Sequence, residues 1–129
     1  MSGATFGFTK LVVGDLEKMA AFYTSVCGVV EQQRVLDEVD GRKTSEILYN
    51  PGTPGGPTFA LLTFLDSPKP ASSEVILGFM TPDLDAFLER TLAAGGAIIE
   101  VLPFRPELGC KVALVKDIEG HMIQAVQML

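Results

Sequence analysis

The sequence predicts an α+β fold in which one βαβββ module occurs twice. The first observation behind this prediction is the order of elements. Hydrophobic periodicity gives a strand, a helix and three strands, and the same order then returns. We therefore expect a single domain over residues 1–129, with modules at residues 1–66 and 74–129.

The second observation is that the boundary residues of the predicted helices repeat. Asp15-Leu16 and Asp83-Leu84 mark two helix starts that are 68 positions apart. Gly28 and Gly96, at the same offset, are typical helix ends. Matching boundaries around a matching element order indicate a true internal repeat.

The elements of the first module follow from local patterns. The segment TFGFTKLVV alternates and is rich in β-branched and aromatic residues, which predicts a strand. Asp15 is a natural N-cap for the helix that follows. Asp40-Gly41 predicts a hairpin turn between the second and third strands. After the loop PGTPGGP, TFALLTFL is the fourth strand, and DSPKPASS is expected to be an exposed linker. The predicted apolar face of the helix consists of Leu16, Met19, Phe22, Tyr23 and Val26.

The second module is predicted in the same way. SEVILGFM is a strand, and TPDLDAFLERTLAAGG is a helix. Three further strands, AIIEVLP, CKVALVK and HMIQAVQML, are separated by the loop FRPELG and the turn DIEG. The predicted apolar face of this helix consists of Leu84, Phe87, Leu88 and Leu92.

Composition narrows the range of partners. A net charge of −6 argues against nucleic acid, because phosphate binding needs a basic patch. The negative charge weakly favours neutral or cationic small molecules as ligands, although a need for solubility explains the charge equally well.

The chain has no apolar run of roughly 20 residues and no signal-peptide pattern, so we expect a cytoplasmic protein with no membrane partner. Cys27 and Cys110 form no CxxC pair, which favours free buried thiols over a disulfide.

Three segments resemble the vicinal oxygen chelate superfamily of glyoxalases, bleomycin resistance proteins and extradiol dioxygenases. They are LVVGDLEKMAAFYTSVCG, GFMTPDLDAFLERTLAAGG and DIEGHMIQAV, and the match extends over nearly the whole chain. The resemblance is specific for the fold, since the superfamily includes unrelated reactions. It implies two βαβββ modules whose curled mixed sheets form an open cup, and a homodimer.

The resemblance also implies where a divalent metal would be bound. Metal-dependent members place a His on the first strand of each module and a Glu on the last. Carried onto this sequence, these positions are Phe8, Ala60, Ile76 and Gln124. Hydrocarbon side chains cannot coordinate a cation, and a glutamine oxygen does so only weakly. The sequence therefore predicts no metal cofactor at these positions.

Strand alternation predicts which side chains face the cup. The candidate ligand-binding residues are Phe8, Lys10, Ala60, Leu62, Ile76, Met80, Met122 and Gln124. A mostly apolar wall with Lys10 and Gln124 as isolated polar points is typical of a small-molecule pocket. The alternative is that these side chains fill the cup as core.

Other polar candidates are few, and no catalytic residue is assigned. His121, the only histidine, is expected at the entry to the last strand as a partly exposed turn residue, with proton transfer as the alternative. Glu46 would act as a base if it were desolvated, but such a residue is more often solvated on the surface. Arg34, Arg42 and Tyr49 in the middle strands, and Arg105 and Glu107 in the loop before the seventh strand, are likewise expected to be solvated surface residues.

Three functions remain open at this stage. The first is a metal-free, glyoxalase/bleomycin-resistance-like protein that binds a small, mostly apolar molecule in its cup. The second is a glyoxalase-like lyase or another superfamily enzyme with an atypical or absent metal site. The third is a structural or regulatory partner whose cup is filled.

Overall fold

The computed structural model describes residues 3, 6–66, 75–104 and 106–129. Apart from Asp66, the predicted linker DSPKPASS lies outside the described residues, as does Arg105. The strands are β1 (Phe8–Val12), β2 (Glu31–Val39), β3 (Arg42–Tyr49), β4 (Thr58–Phe64), β5 (Ile76–Met80), β6 (Ala97–Val101), β7 (Cys110–Lys116) and β8 (Met122–Met128). The helices are α1 (Leu16–Cys27) and α2 (Leu84–Ala93), with a short 3-10 turn at Pro106–Leu108. In the described part of the chain, no helix is long and apolar enough to cross a membrane.

The strands form two four-stranded sheets with the same topology. The first sheet has the order β1-β4-β3-β2, and the second has the order β5-β8-β7-β6. In each sheet one pair is parallel, β1 with β4 and β5 with β8, and the other pairs are antiparallel. Both sheets are therefore mixed and open, and the predicted α+β fold of two βαβββ modules is confirmed.

The chain divides into two compact units. The first unit comprises Met1–Ala20 and Val29–Ala71, and the second comprises Ala21–Gly28 and Ser72–Leu129. In the first sheet, Thr44, Glu46, Ala60 and Leu62 are buried on the face of the candidate residues. In both sheets, strand alternation also buries side chains of the opposite face. The buried side chains of that face are Leu11, Val13, Ile47 and Leu61 in the first sheet and Leu77, Ala113, Val115, Ile123 and Ala125 in the second.

The predicted caps and hairpin turn are confirmed. A carboxylate oxygen of Asp15 accepts the backbone N–H of Lys18 at 3.0 Å, and Asp83 accepts that of Ala86 at the same distance. These bonds satisfy N–H groups that have no partner within the first turn of a helix. Between β2 and β3, Asp40 and Gly41 have φ angles of 52° and 75°, as a two-residue hairpin turn requires.

The end of the second helix corrects the predicted repeat. Gly95, and not Gly96, has the positive φ of a helix end, at 91°. Gly96 is instead a site of close packing, because a Cβ there would lie 2.7 Å from the carbonyl oxygen of Lys116. The predicted face of α2 is also wrong at Leu92, which is exposed. Thr91 is buried in its place, since its hydroxyl donates to the carbonyl of Phe87 within the helix at 2.9 Å.

Both cysteines are free, as predicted, but they are half-buried and not fully buried. Burial raises the pKa of the Cys27 thiol to about 12. A thiol in this environment is a poor nucleophile at neutral pH.

Candidate functional site

The four candidate residues of the first unit lie on one face of its sheet. Lys10 is opposite Ala60, and Leu62 follows two positions later on β4, while Phe8 precedes Lys10 by two positions on β1. Ala60 and Leu62 are buried, whereas the Phe8 side chain at the sheet edge is 60% exposed. The face therefore has an apolar floor with an accessible aromatic ring at one side.

A buried polar cluster lies on this same face. The Lys10 Nζ donates to Glu46 Oε1 at 2.7 Å, and the Thr44 hydroxyl donates to Glu46 Oε2 at 2.8 Å. Glu46 faces the Leu62 side of the sheet because β3 pairs Glu46 with Leu62 in register. The Glu46 side chain is 1% exposed, whereas that of Lys10 is 33% exposed. The accessible group of the cluster is thus the ammonium, with the carboxylate buried behind it.

These contacts correct two expectations. Lys10 is not an isolated polar point, and Glu46 is not a solvated surface residue. Both oxygens of Glu46 accept a hydrogen bond, so its carboxylate balances the lysine charge. Sequence reasoning missed this cluster, because the pairing of β3 with β4 is known only from the structure. With that pairing, alternation within the strand RKTSEILY assigns Glu46 to the same face as apolar residues of β4.

The candidate residues of the second unit also share one face of their sheet. Ile76 is opposite Met122, Gly78 is opposite Gln124, and Met80 continues the row on β5. Ile76 and Met80 are 63% and 66% exposed, although Leu77 between them is buried. Met122 and Gln124 are half-buried. This face presents apolar side chains to the surroundings instead of enclosing them in the core.

The four positions at which the resemblance implies metal ligands are distributed over the two sheets. Phe8 and Ala60 lie on one face of the first sheet, and Ile76 and Gln124 on one face of the second, as the register requires. Their side chains contribute one neutral amide oxygen and no imidazole, carboxylate or thiolate. Among the described residues, no group of three or more His, Cys, Asp and Glu side chains is placed to hold a metal ion.

His121 belongs to a buried hydrogen-bond network centred on Asp117. The Asp117 carboxylate is fully buried, and one of its oxygens lies 2.8 Å from His121 Nδ1. The same oxygen accepts the Tyr23 hydroxyl at 2.7 Å. The other oxygen accepts the backbone N–H groups of Glu119 and His121, each at 2.9 Å. The network therefore fixes the turn between β7 and β8 and links it to helix α1.

The ionisation of this network follows from burial and hydrogen bonding. Burial alone would raise the pKa of Asp117, but hydrogen bonds from His121 and Tyr23 outweigh it and hold the pKa below its usual value. Burial, followed by the charge of Asp117, strongly raises the pKa of Tyr23. Asp117 thus stays a carboxylate and Tyr23 stays a neutral donor at neutral pH. His121 is a turn residue as expected, with its side chain directed to a structural carboxylate.

The other polar candidates of the first unit have structural roles. Arg34 forms surface ion pairs with Glu17 and Glu31, at 2.6 and 3.0 Å. Arg42 pairs with Asp66 at 2.8 Å and covers the Phe64 ring. Exposed pairs of this kind contribute little to stability.

Tyr49 is buried against the Phe59 ring, with the ring centroids 5.9 Å apart. The described residues provide no hydrogen-bond partner for its hydroxyl. Burial, followed by the nearby charge of Glu31, raises the pKa of Tyr49 to about 12. The tyrosine is therefore a neutral, mostly apolar part of the core.

Comparison with known proteins places the chain in a family. A family model described as the Glyoxalase/Bleomycin resistance protein/Dioxygenase superfamily matches residues 5–125. A search of curated proteins gave no match. The fold is similar to that of a glyoxalase family protein from Bacillus cereus, with a TM-score of 0.82, 16% identity, and 100% of this chain and 99% of that chain covered.

Two other solved structures are also similar. A glyoxalase/bleomycin resistance protein from Albidiferax ferrireducens T118 has a TM-score of 0.69 and 26% identity over 96% of this chain and 98% of that chain. The fosfomycin resistance protein FosX from Mesorhizobium loti has a TM-score of 0.64 and 19% identity over 97% of this chain and 90% of that chain. Since the family model covers most of the sequence, the chain belongs to the glyoxalase/bleomycin resistance protein/dioxygenase superfamily.

Proposed function

We propose that this protein binds a small, mostly apolar molecule without a divalent metal at the family's ligand positions. The observation that carries the proposal is the exposure of Ile76 and Met80 on a sheet whose other face is buried. Exposed large apolar side chains in a row on one face are typical of a surface that binds a partner or a ligand.

The free energy gained by covering the apolar side chains of this face is of the size expected for a small ligand. Covering a fully exposed Ile or Met side chain contributes roughly 1.5–3 kcal/mol, and these two side chains are about two-thirds exposed. Their burial would therefore provide about 2–4 kcal/mol before the cost of association is subtracted. Methionine adapts its shape to irregular ligands at little cost, which favours a binding face over a fixed core. Gln124, half-buried between them in the register, would supply a directional hydrogen bond.

The side chains at the four metal positions also support the proposal. They lack the charged and imidazole donors that a Lewis-acid site needs, so no step of metal-dependent glyoxalase or dioxygenase chemistry can be assigned to them.

A thermal-shift screen tests the proposal. The purified protein is heated with a library of metabolites and antibiotics, with and without zinc, nickel, manganese and iron. We expect apolar compounds to raise the melting temperature equally with and without metal. Stabilisation that depends on a metal, or stoichiometric metal in the purified protein, would instead support a superfamily enzyme.

A matched pair of variants then locates the binding face. Met80→Ser removes an exposed apolar side chain from the sheet, and Leu92→Ser removes one from helix α2 in the same unit. We expect the compounds to lose their effect on the Met80 variant and to keep it on the Leu92 variant. Equal effects on both variants would show that the sheet face is not the binding surface.

A further inference from the structure

The cluster of Lys10, Glu46 and Thr44 lies on the sheet of the first unit, apart from the Ile76 and Met80 face, and its geometry suggests a specific role in binding the proposed class of molecule. The ammonium is partly exposed, whereas Glu46 and Thr44 of the cluster are buried beside the apolar side chains of Ala60 and Leu62. A lysine has three N–H donors, and the contact with Glu46 at 2.7 Å uses one of them. Among the described residues this is the one hydrogen bond of the ammonium, which leaves its other donors for an oxygen atom that approaches from outside.

Phe8 lies beside this ammonium. The Lys10 Nζ is 5.8 Å from the centroid of the Phe8 ring, and that ring is 60% exposed. A flat aromatic molecule stacked on Phe8 would bring a short polar substituent within reach of Lys10. Aromatic stacking and a directed hydrogen bond would then act on the same ligand.

The charge balance of the cluster determines which substituent fits. Glu46 is buried and compensates the charge of Lys10, so the pair is neutral as a whole. A ligand carboxylate would add a second negative charge without a counter-ion of its own, on a face floored by Ala60 and Leu62. A ligand ammonium would be repelled by Lys10, while Glu46 is too deeply buried to receive it. A neutral carbonyl oxygen accepts a hydrogen bond and adds no charge.

Resting on the proposed binding function, we infer that Lys10, held by Glu46, is the polar anchor for the neutral carbonyl oxygen of an aromatic ligand stacked on Phe8. Thr44 is a positioning residue, because its hydroxyl holds the second oxygen of Glu46 at 2.8 Å. The ligand class is therefore an aryl ketone or a similar aryl carbonyl compound.

Three naphthalene probes of matched shape test the anchor. They are 2-acetonaphthone, with a neutral carbonyl; 2-naphthoate, with a carboxylate; and 2-ethylnaphthalene, with no acceptor. Titration of isotopically labelled protein, followed by backbone amide signals, gives the affinity and shows where each probe binds. We expect acetonaphthone to bind roughly 10- to 150-fold tighter than either of the others, as one hydrogen bond to a charged donor predicts. The signals of β1 and β4 should shift.

The variants must separate binding from folding. Lys10→Met alone leaves Glu46 buried without its counter-ion and is expected to be unstable. The double variant Lys10→Met with Glu46→Gln removes both charges and should bind all three probes with similar affinity. Lys43→Met is the matched control, because Lys43 is an exposed lysine on a strand of the same sheet. It should keep the preference for the ketone.

The outcomes distinguish this inference from the proposed function. Equal binding of the three probes to the native protein would overturn the anchor and leave the apolar binding face intact. Tightest binding of naphthoate would overturn the assignment of a neutral carbonyl. No shift at β1 or β4 with any probe would also overturn the anchor, whereas failure of the library screen would overturn the proposed function.

Discussion

Removal of one buried hydroxyl provides a quantitative test of the Asp117 network. Tyr23→Phe deletes the hydroxyl that donates to Asp117 at 2.7 Å and leaves the ring in place. A hydrogen bond to a charged group is worth about 1.5–3 kcal/mol, and the carboxylate keeps its other donors in the variant. With an unfolding entropy of about 0.27 kcal/mol/K for 129 residues, this loss lowers the melting temperature by about 6–11 °C.

Calorimetry and urea denaturation at pH 7 measure the effect, and Asp117→Asn completes a double-mutant cycle. The two changes should be non-additive, because Tyr23→Phe removes the donor and Asp117→Asn removes the acceptor's charge in the same contact. The loss of stability caused by Tyr23→Phe should also depend on pH. Since the pKa of Asp117 is lowered in the folded protein, its stabilisation is present above the ordinary value of 3.8 and is lost as pH falls through the folded pKa. A change below 0.5 kcal/mol at pH 7, or additive effects in the cycle, would refute this account of the turn.

Four further predictions concern packing, assembly and the binding faces. Gly96→Ala should destabilise the fold by about 1–3 kcal/mol in denaturation, whereas Gly78→Ala, where an added Cβ meets no atom within 4 Å, should have little effect. Light scattering at micromolar concentration should give twice the 13.8 kDa chain mass, because a second chain in a homodimer would cover the open sheet edges. The mass of a single chain would disprove the homodimer. Phe8→His with Ala60→Glu should show no submicromolar zinc binding in calorimetry, because Ile76 stays apolar and no groups orient the new ligands. Gln124→Leu should weaken ligand binding in the screen without lowering the melting temperature; a lower melting temperature with unchanged binding would make Gln124 purely structural.

Most of the fold could be predicted from helix caps, turn residues and strand alternation, which depend on neighbouring residues in the sequence. The Asp15 and Asp83 caps and the Asp40-Gly41 turn each depend on a few neighbouring residues, so their chemistry can be read directly from the sequence. Strand alternation then placed Phe8 with Ala60 and Ile76 with Gln124 on common faces, because side chains switch face at every residue.

The polar contacts of the site could not be predicted from neighbouring residues, because their partners are far apart in the sequence. Lys10 and Glu46 are separated by 36 positions, and they meet because β4 lies between β1 and β3. Tyr23 and Asp117 are 94 positions apart. Which charged residue finds a partner depends on strand order and register, and alternation alone does not give strand order. Helix ends were also misread where two glycines adjoin, since only the backbone angle distinguishes Gly95 from Gly96.

The parallel pairing of β1 with β4 has a consequence for how the chain acquires its structure. Phe8 pairs with Thr58, and Ile76 pairs with Met122, so each of these ladders closes a loop of nearly a whole module. The β2–β3 hairpin, by contrast, closes over the two residues of its turn and can form early. Closing a long loop costs chain entropy before its contacts repay it, which places proteins of this topology among slower folders. During synthesis, β1 therefore cannot pair within its sheet until β4 has emerged.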